Sequence, residues 1–197
     1  MILSNLEIQQ AMEDGRLKID PTPSPLRPES GSECPYQTSS VDLQLGSEIT
    51  FIPRDRRLPI TVDLRQGKVV DLFNAYAVTR ELRSDQPYVM EPGQFVLGKT
   101  LERVHFPRLE DGRISLAGRI EGRSSYARCG LLVHFTAPTI HSGFSGTITL
   151  ELSNLGPVPI SLYPGVPICQ LIVEEVRGIP FRNDSQFQHQ SRASGTS

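Results

Sequence analysis

Short runs in which polar and apolar residues alternate, each closed by glycine or proline, recur along most of this chain. No other feature constrains the fold as strongly. Ser40-Val41-Asp42-Leu43-Gln44-Leu45 alternates and stops at Gly46, and Thr147-Ile148-Thr149-Leu150-Glu151-Leu152 alternates without interruption. Tyr88-Val89-Met90 and Phe95-Val96-Leu97 flank Pro92-Gly93. A second Pro-Gly turn, Pro164-Gly165, separates Ile160-Ser161-Leu162 from the apolar run at 168–173, and further short runs lie at 49–52 and 60–64. Side chains of a strand point to opposite faces in turn, so such runs are half-buried strands; Pro then Gly fits the middle of a type II turn. With 16 Gly and 16 Pro among 197 residues, strands every ~8–12 residues predict a β-sandwich or barrel rather than a helical bundle. The one helix expected is at the start, where Ser4 and Glu7 form an S-x-x-E capping box and Gly15 supplies the stop. Residues 20–35 are rich in proline and serine and read as an extended loop, because each proline fixes φ and removes an N–H.

The charge narrows the functional classes. Twenty basic against 22 acidic residues give a net charge of −2, which argues against a nucleic-acid or membrane binder while leaving room for a local cationic pocket. The cysteines, Cys34, Cys129 and Cys169, form no C-x-x-C pair and no disulfide framework. They read as reduced thiols of a cytoplasmic protein, with Cys129 and Cys169 in core strands. The apolar runs are too short to span a membrane, and Met1-Ile2-Leu3-Ser4-Asn5 lacks the basic start of a signal peptide. From Gly178 onward the chain is polar and without period, which divides it into a domain at 1–177 and a flexible tail at 178–197.

Familiar phosphate cradles and zinc motifs are absent from the sequence, and His105, His134, His141 and His189 lack ligand spacing. The chemistry concentrates between Gly122 and Glu151. Arg123, Ser124, Ser125 and Arg128, set between glycines, offer a planar cationic fork and neutral hydroxyl donors suited to an anion. They fit a solvated surface turn equally well. Glu151 shares a strand face with Thr147 and Thr149, opposite Ile148 and Leu150; taken alone it reads as a solvent-facing carboxylate.

Gly122-Arg123-Ser124-Ser125-x-Ala127-Arg128-x-Gly130-Leu131, followed by His134-x-Thr136-Ala137 and Gly143-Phe144-Ser145-Gly146-x-Ile148-x-Leu150-Glu151, resembles the dCTP deaminases of the dUTPase-like superfamily. Met1-Ile2-Leu3-Ser4, Gly15-Arg16-Leu17, Ile19-Asp20-Pro21, Ser39-Ser40-Val41-Asp42-Leu43-x-Leu45-Gly46 and Ile168-Cys169-Gln170-Leu171 extend the resemblance over almost the whole chain. It implies a distorted antiparallel β-barrel or jelly roll with a short N-terminal helix, assembled as a homotrimer with active sites between subunits. The implied reaction is hydrolytic deamination of dCTP to dUTP and ammonia without zinc. Glu151 would be the general base and proton shuttle, Ser124 and the carbonyl of Ala137 would hold the water, and Arg128 would stabilise charge at C4. Phe135 and Thr136 would read the cytosine edge and Phe144 would pack on the deoxyribose. Arg123, Ser125, Gln170 and, from the tail, Gln190 would meet the triphosphate, whose Mg2+ is carried by the nucleotide. The tail would close over the phosphates, and dTTP is a candidate inhibitor.

Two departures from the family pattern bear on the product. Members usually carry Ile-Asp where this chain has Ile140-His141, and a histidine supplies no permanent carboxylate to position a water at the α-phosphate. That favours plain deamination over a dUTPase or a bifunctional enzyme releasing dUMP and pyrophosphate. A family Lys-Tyr pair in the tail is replaced around Gln186-Phe187-Gln188-His189-Gln190, which removes a positive charge from the triphosphate site. A non-catalytic pyrimidine-nucleotide regulator is the remaining alternative. Residues 107–115 are expected to form an exposed loop.

Overall fold

The computed structural model describes residues 1–53, 63, 65, 73, 75–134 and 136–181. Helix α1 (Asn5–Glu13) starts at the expected box: Glu7 N–H donates to Ser4 Oγ at 3.3 Å, and Ser4 N–H donates to Glu7 Oε2 at 3.0 Å. The helix buries only Ile8 and Ala11, so its docking, with Leu3 N–H bonded to the Val173 carbonyl at 2.9 Å, holds it more than its own propensity.

The rest is antiparallel sheet. One sheet contains β1 (Lys18–Asp20), β4 (Glu48–Phe51), β5 (Val78–Glu81), β7 (Phe95–His105), β9 (Leu131–Val133) and β11 (Ser145–Asn154), in the order β5-β4-β7-β11-β9 with β1 also on β7. A second contains β2 (Tyr36–Gln37), β3 (Ser40–Gln44), β8 (Leu116–Gly122), β10 (Thr139–Ile140) and β13 (Pro167–Glu175), in the order β10-β8-β13-β3-β2. The ribbon of β6 (Tyr88–Met90) and β12 (Ile160–Leu162) stands apart. Val41, Leu43, Ile120 and Leu171 from one sheet and Val96, Ile148, Leu150 and Leu152 from the other share one core with Phe106. This is the all-β, jelly-roll-like arrangement expected.

Turns fall where the Pro-Gly pairs require them, with Gly93 at φ 73° and Gly165 at φ 79°. β7 is longer than its apolar run Phe95-Val96-Leu97. Gly98 lets it pass under Leu45, whose Cδ1 would lie 3.0 Å from any added Cβ. Thr100 Oγ1 accepts the Ile148 N–H at 2.9 Å where the register with β11 shifts. The run at 60–64 lies, apart from Asp63, outside the described residues. The loop at 107–115 is exposed only at its tip. Leu109 and Ser115 are buried, and Leu109 N–H donates to Ser115 Oγ at 3.0 Å, so both ends are pinned.

Cys169 lies in the core as expected, but Cys129 does not. Cys129 is exposed in the turn before β9, because Gly130 (φ 89°) turns the chain there and keeps that segment off the core side of the sheet.

Glu102, buried on β7, accepts the Gln44 N–H at 2.9 Å and 3.2 Å on its two oxygens. Burial pushes its carboxyl from 4.5 to about 7, against the lowering effect of that N–H. Between those two values the folded chain keeps a proton that the unfolded chain has lost. This contribution to stability is therefore complete below pH 4.5 and lost as pH rises through about 7, amounting to about 3 kcal/mol. Glu102→Gln keeps a neutral acceptor for Gln44. Urea unfolding from pH 5 to pH 8 is expected to show a falling stability in the parent and a flatter one in the variant; equal slopes would refute the assignment.

Candidate functional site

Helix α2 (Ser124–Ala127) follows directly from β8, with Arg123 at its N-cap in extended conformation. The turn then passes through Gly130 into β9. Ser124, Ser125 and Arg128 are exposed, and none has a side-chain hydrogen bond or ion pair with another described residue. Arg123 behaves differently: its guanidinium points inward and is only 17% exposed. Nη2 lies 2.7 Å from Glu33 Oε1 and 3.5 Å from Asp42 Oδ2, Nη1 donates to the Pro167 carbonyl at 3.5 Å, and Cζ stands 5.7 Å from the Tyr126 ring centroid. The compact donor set expected from sequence is thus divided, with three groups facing outward and Arg123 clamped between carboxylates.

Asp42 organises this clamp. Nearly inaccessible on β3, it accepts from Gln170 Nε2 at 3.0 Å and from Gln37 Nε2 at 3.4 Å while facing Arg123. Burial raises its carboxyl pKa, opposed first by the Gln170 bond and then by the Arg123 charge. Arg123 and Gln170, two of the expected triphosphate ligands, are therefore joined through one buried carboxylate. Sequence reading missed Asp42 because strict alternation put Ser40, Asp42 and Gln44 on a polar face, whereas β3 lies between β2 and β13 and buries both faces.

Glu151 lies on β11 opposite Leu97 of β7. Its partly exposed side chain sets Oε2 3.2 Å from Nδ1 of the buried His134. The pair is close but not aligned for a hydrogen bond: Oε2 and both His134 ring nitrogens are buried and unbonded among the described residues. Thr149 Oγ1, one step along the same strand face, and Ser142 Oγ are likewise buried and unbonded. Leaving a buried polar atom unpaired costs ~1–3 kcal/mol, so the unbonded Glu151–His134 pair is suited to a partner from another molecule. His134 has φ 53°, and its N–H donates to the Glu151 carbonyl at 2.9 Å. A strained backbone position thereby holds the imidazole against Glu151. His134 was visible in the motif but lacked metal-ligand spacing, so only the fold exposes its proximity.

Thr136 and Ala137 are exposed on the segment between β9 and β10 that leaves Glu151's neighbourhood. Phe144 is half-buried against the core, its carbonyl accepting the Phe106 N–H at 2.9 Å. His141 is exposed and its carbonyl accepts the Phe144 N–H at 3.1 Å. Phe135, Gln186 and Gln190 lie outside the described residues. Ile179 and Phe181, at the start of the tail, are 79% and 88% exposed.

Glu151 and Arg128 form no ion pair with one another, Glu151 facing His134 instead. Leu131 pairs with Asn154 at the sheet end, about 10 Å of strand from Glu151, and Arg128 precedes Leu131 by three residues. No group of His, Cys, Asp and Glu suited to a metal occurs among the described residues. No helix among them is long and apolar enough to cross a membrane.

A sequence profile described as dCTP deaminase-like matches residues 2–176. A Dictyoglomus thermophilum protein named "dCTP deaminase, dUMP-forming" is 39% identical over 171 residues, covering 87% of this chain and 78% of its own. A Rhodospirillum rubrum protein named "dCTP deaminase" is 37% identical over 180 residues, covering 88% and 82%. Among solved structures, the 2'-deoxycytidine 5'-triphosphate deaminase from Agrobacterium tumefaciens aligns with TM-score 0.60 at 21% identity, over 87% of this chain and 47% of that longer one. This likeness concerns the fold.

Proposed function

The chain belongs to the dCTP deaminase-like family, and from that premise we propose that it hydrolyses dCTP, taken as its Mg2+ complex, to dUTP and ammonia in the cytoplasm. The observation that carries the reading is Glu151, held beside His134 with buried polar atoms that have no hydrogen-bond partner among the described residues. Glu151 takes a proton from a water held by Ser124 and the Ala137 carbonyl, and the resulting hydroxide adds to C4. The proton passes to N3, Glu151 then carries the C4 hydroxyl proton to the 4-amino group, and ammonia leaves as the C4 carbonyl forms. Arg128 stabilises the charge that develops at C4, an effect worth a few kcal/mol in a water-excluded site. Phe135 and Thr136 read the base edge and Phe144 packs on the sugar. Arg123, Ser125, Gln170 and Gln190 take the triphosphate, and the segment after Gly178 closes over it.

The separation of Arg128 from Glu151 supports sites completed by a neighbouring copy, which supplies Ser124 and Arg128, in a homotrimer. The dUMP-forming name of the Dictyoglomus relative favours a second reading in which the same site also hydrolyses dUTP. His141, where the family has an aspartate, stands against it. With dUTP as substrate, no pyrophosphate is expected at enzyme concentrations that consume dCTP. Pyrophosphate released from dUTP at a comparable rate would establish the second reading.

A further inference from the structure

Arg123 lies between two carboxylates of opposite character. Asp42 is 3% exposed, fixed by Gln170 and Gln37, and forms the floor of a cleft of about 270 Å³ walled by Pro21, Pro23, Pro35 and Pro167. Glu33 is 68% exposed, sits on the rim of that cleft at the end of the proline-rich loop, and has no side-chain partner other than Arg123 among the described residues. The buried partner orients the guanidinium at all times. The exposed one accepts from Nη2 at 2.7 Å and is tied down only by this contact among the described residues. A polyphosphate reaching Arg123 meets Glu33 first, and the two anions compete for the same donors.

Resting on the reading that Arg123 receives the triphosphate, the geometry points to Glu33 as a displaceable counter-ion: it occupies Arg123 in the empty site, and substrate phosphate must expel it. Glu33 therefore sets nucleotide affinity by opposing binding, while Asp42 keeps Arg123 aligned after the exchange. An ion pair this exposed is weak, so its removal is expected to tighten polyphosphate binding only about two- to five-fold.

The test compares the parent, Glu33→Gln and Glu29→Gln in calorimetric titrations with inorganic tripolyphosphate, beside steady-state turnover of dCTP. Glu29 is an exposed carboxylate of the same loop with no side-chain hydrogen bond or ion pair to another described residue, so its loss changes the local field without freeing Arg123. Expected are a two- to five-fold lower tripolyphosphate Kd and a lower KM for dCTP in Glu33→Gln, unchanged kcat, and parent-like values in Glu29→Gln. An unchanged or raised Kd in Glu33→Gln overturns the inference, because Glu33 then plays no part or helps to hold the ligand. An equal fall in Glu29→Gln also overturns it, since loop charge alone would account for the gain. Absence of tripolyphosphate binding in Glu33→Gln overturns it too. Tighter tripolyphosphate binding in a protein that leaves dCTP intact would uphold the counter-ion and refute the deaminase reading; normal turnover with an unaltered Kd would do the reverse.

Discussion

Glu151→Gln is expected to lower kcat for dCTP by about 10²–10⁴-fold, the usual worth of a positioned general base, with the nucleotide Kd changed by less than a few-fold. The amide keeps the shape of the carboxylate and its place beside His134 but cannot accept the water's proton. A comparable loss is expected for Arg128→Ala through the charge at C4. The two inactive variants also test how the site is assembled. If each site takes Glu151 from one copy and Arg128 from the next, an equal mixture refolded together should recover about a quarter of the parental rate, because mixed trimers contain some fully native interfaces. If both residues serve the same site from one chain, the mixture stays inactive. Undiminished turnover in Glu151→Gln alone would remove that residue from its role.

The second large effect concerns Gly130, which joins the Arg128 segment to β9. It has φ 89°, and an added Cβ would fall on the backbone N and Cα of Gly156. Gly156 in turn presses against the Cys129 carbonyl, while Leu155 N–H donates to the Gly130 carbonyl at 2.9 Å. Gly130→Ala must therefore both hold an alanine at positive φ and force two backbones apart where neither can yield. A destabilisation above about 3 kcal/mol is expected, roughly a 10 °C fall in Tm, together with loss of activity. Gly112 provides the contrast: its φ is 85° but nothing lies within 4 Å of an added Cβ. Gly112→Ala should cost only the conformational penalty, about 1 kcal/mol. Equal melting temperatures for the two variants would show that the Gly130–Gly156 crossing does not hold this turn.

These two predictions also show where sequence patterns were sufficient. The capping box at Ser4 and Glu7 and the turns at Gly93 and Gly165 are local devices, and the structure contains them as read. The alternating run at 147–152 correctly put Ile148, Leu150 and Leu152 in the core, but its other face is not open to solvent: Thr147 is buried and Thr149 and Glu151 are only partly exposed. Alternation failed where a strand is buried on both faces. Asp42 looked solvent-facing but clamps Arg123 from beneath, and the reach of β7 past Leu97 depends on Gly98 and Thr100, residues that weaken an apolar pattern. Cys129 was expected in a core strand because free cysteines are commonly buried, whereas the αL turn at Gly130 decides its exposure. The resemblance carried by the Gly122–Glu151 array supplied the candidate residues. The inward turn of Arg123 and the proximity of His134 to Glu151 are tertiary facts that no spacing encodes.

The central claim is that Glu151, rather than a zinc ion, activates the water that attacks C4. Ammonia and dUTP should be measured together in one reaction containing dCTP, excess Mg2+ and a zinc-selective chelator. The account predicts equimolar ammonia and dUTP at a rate the chelator does not alter. Intact dCTP at high enzyme concentration, or ammonia release abolished by the chelator and restored by zinc, would contradict it.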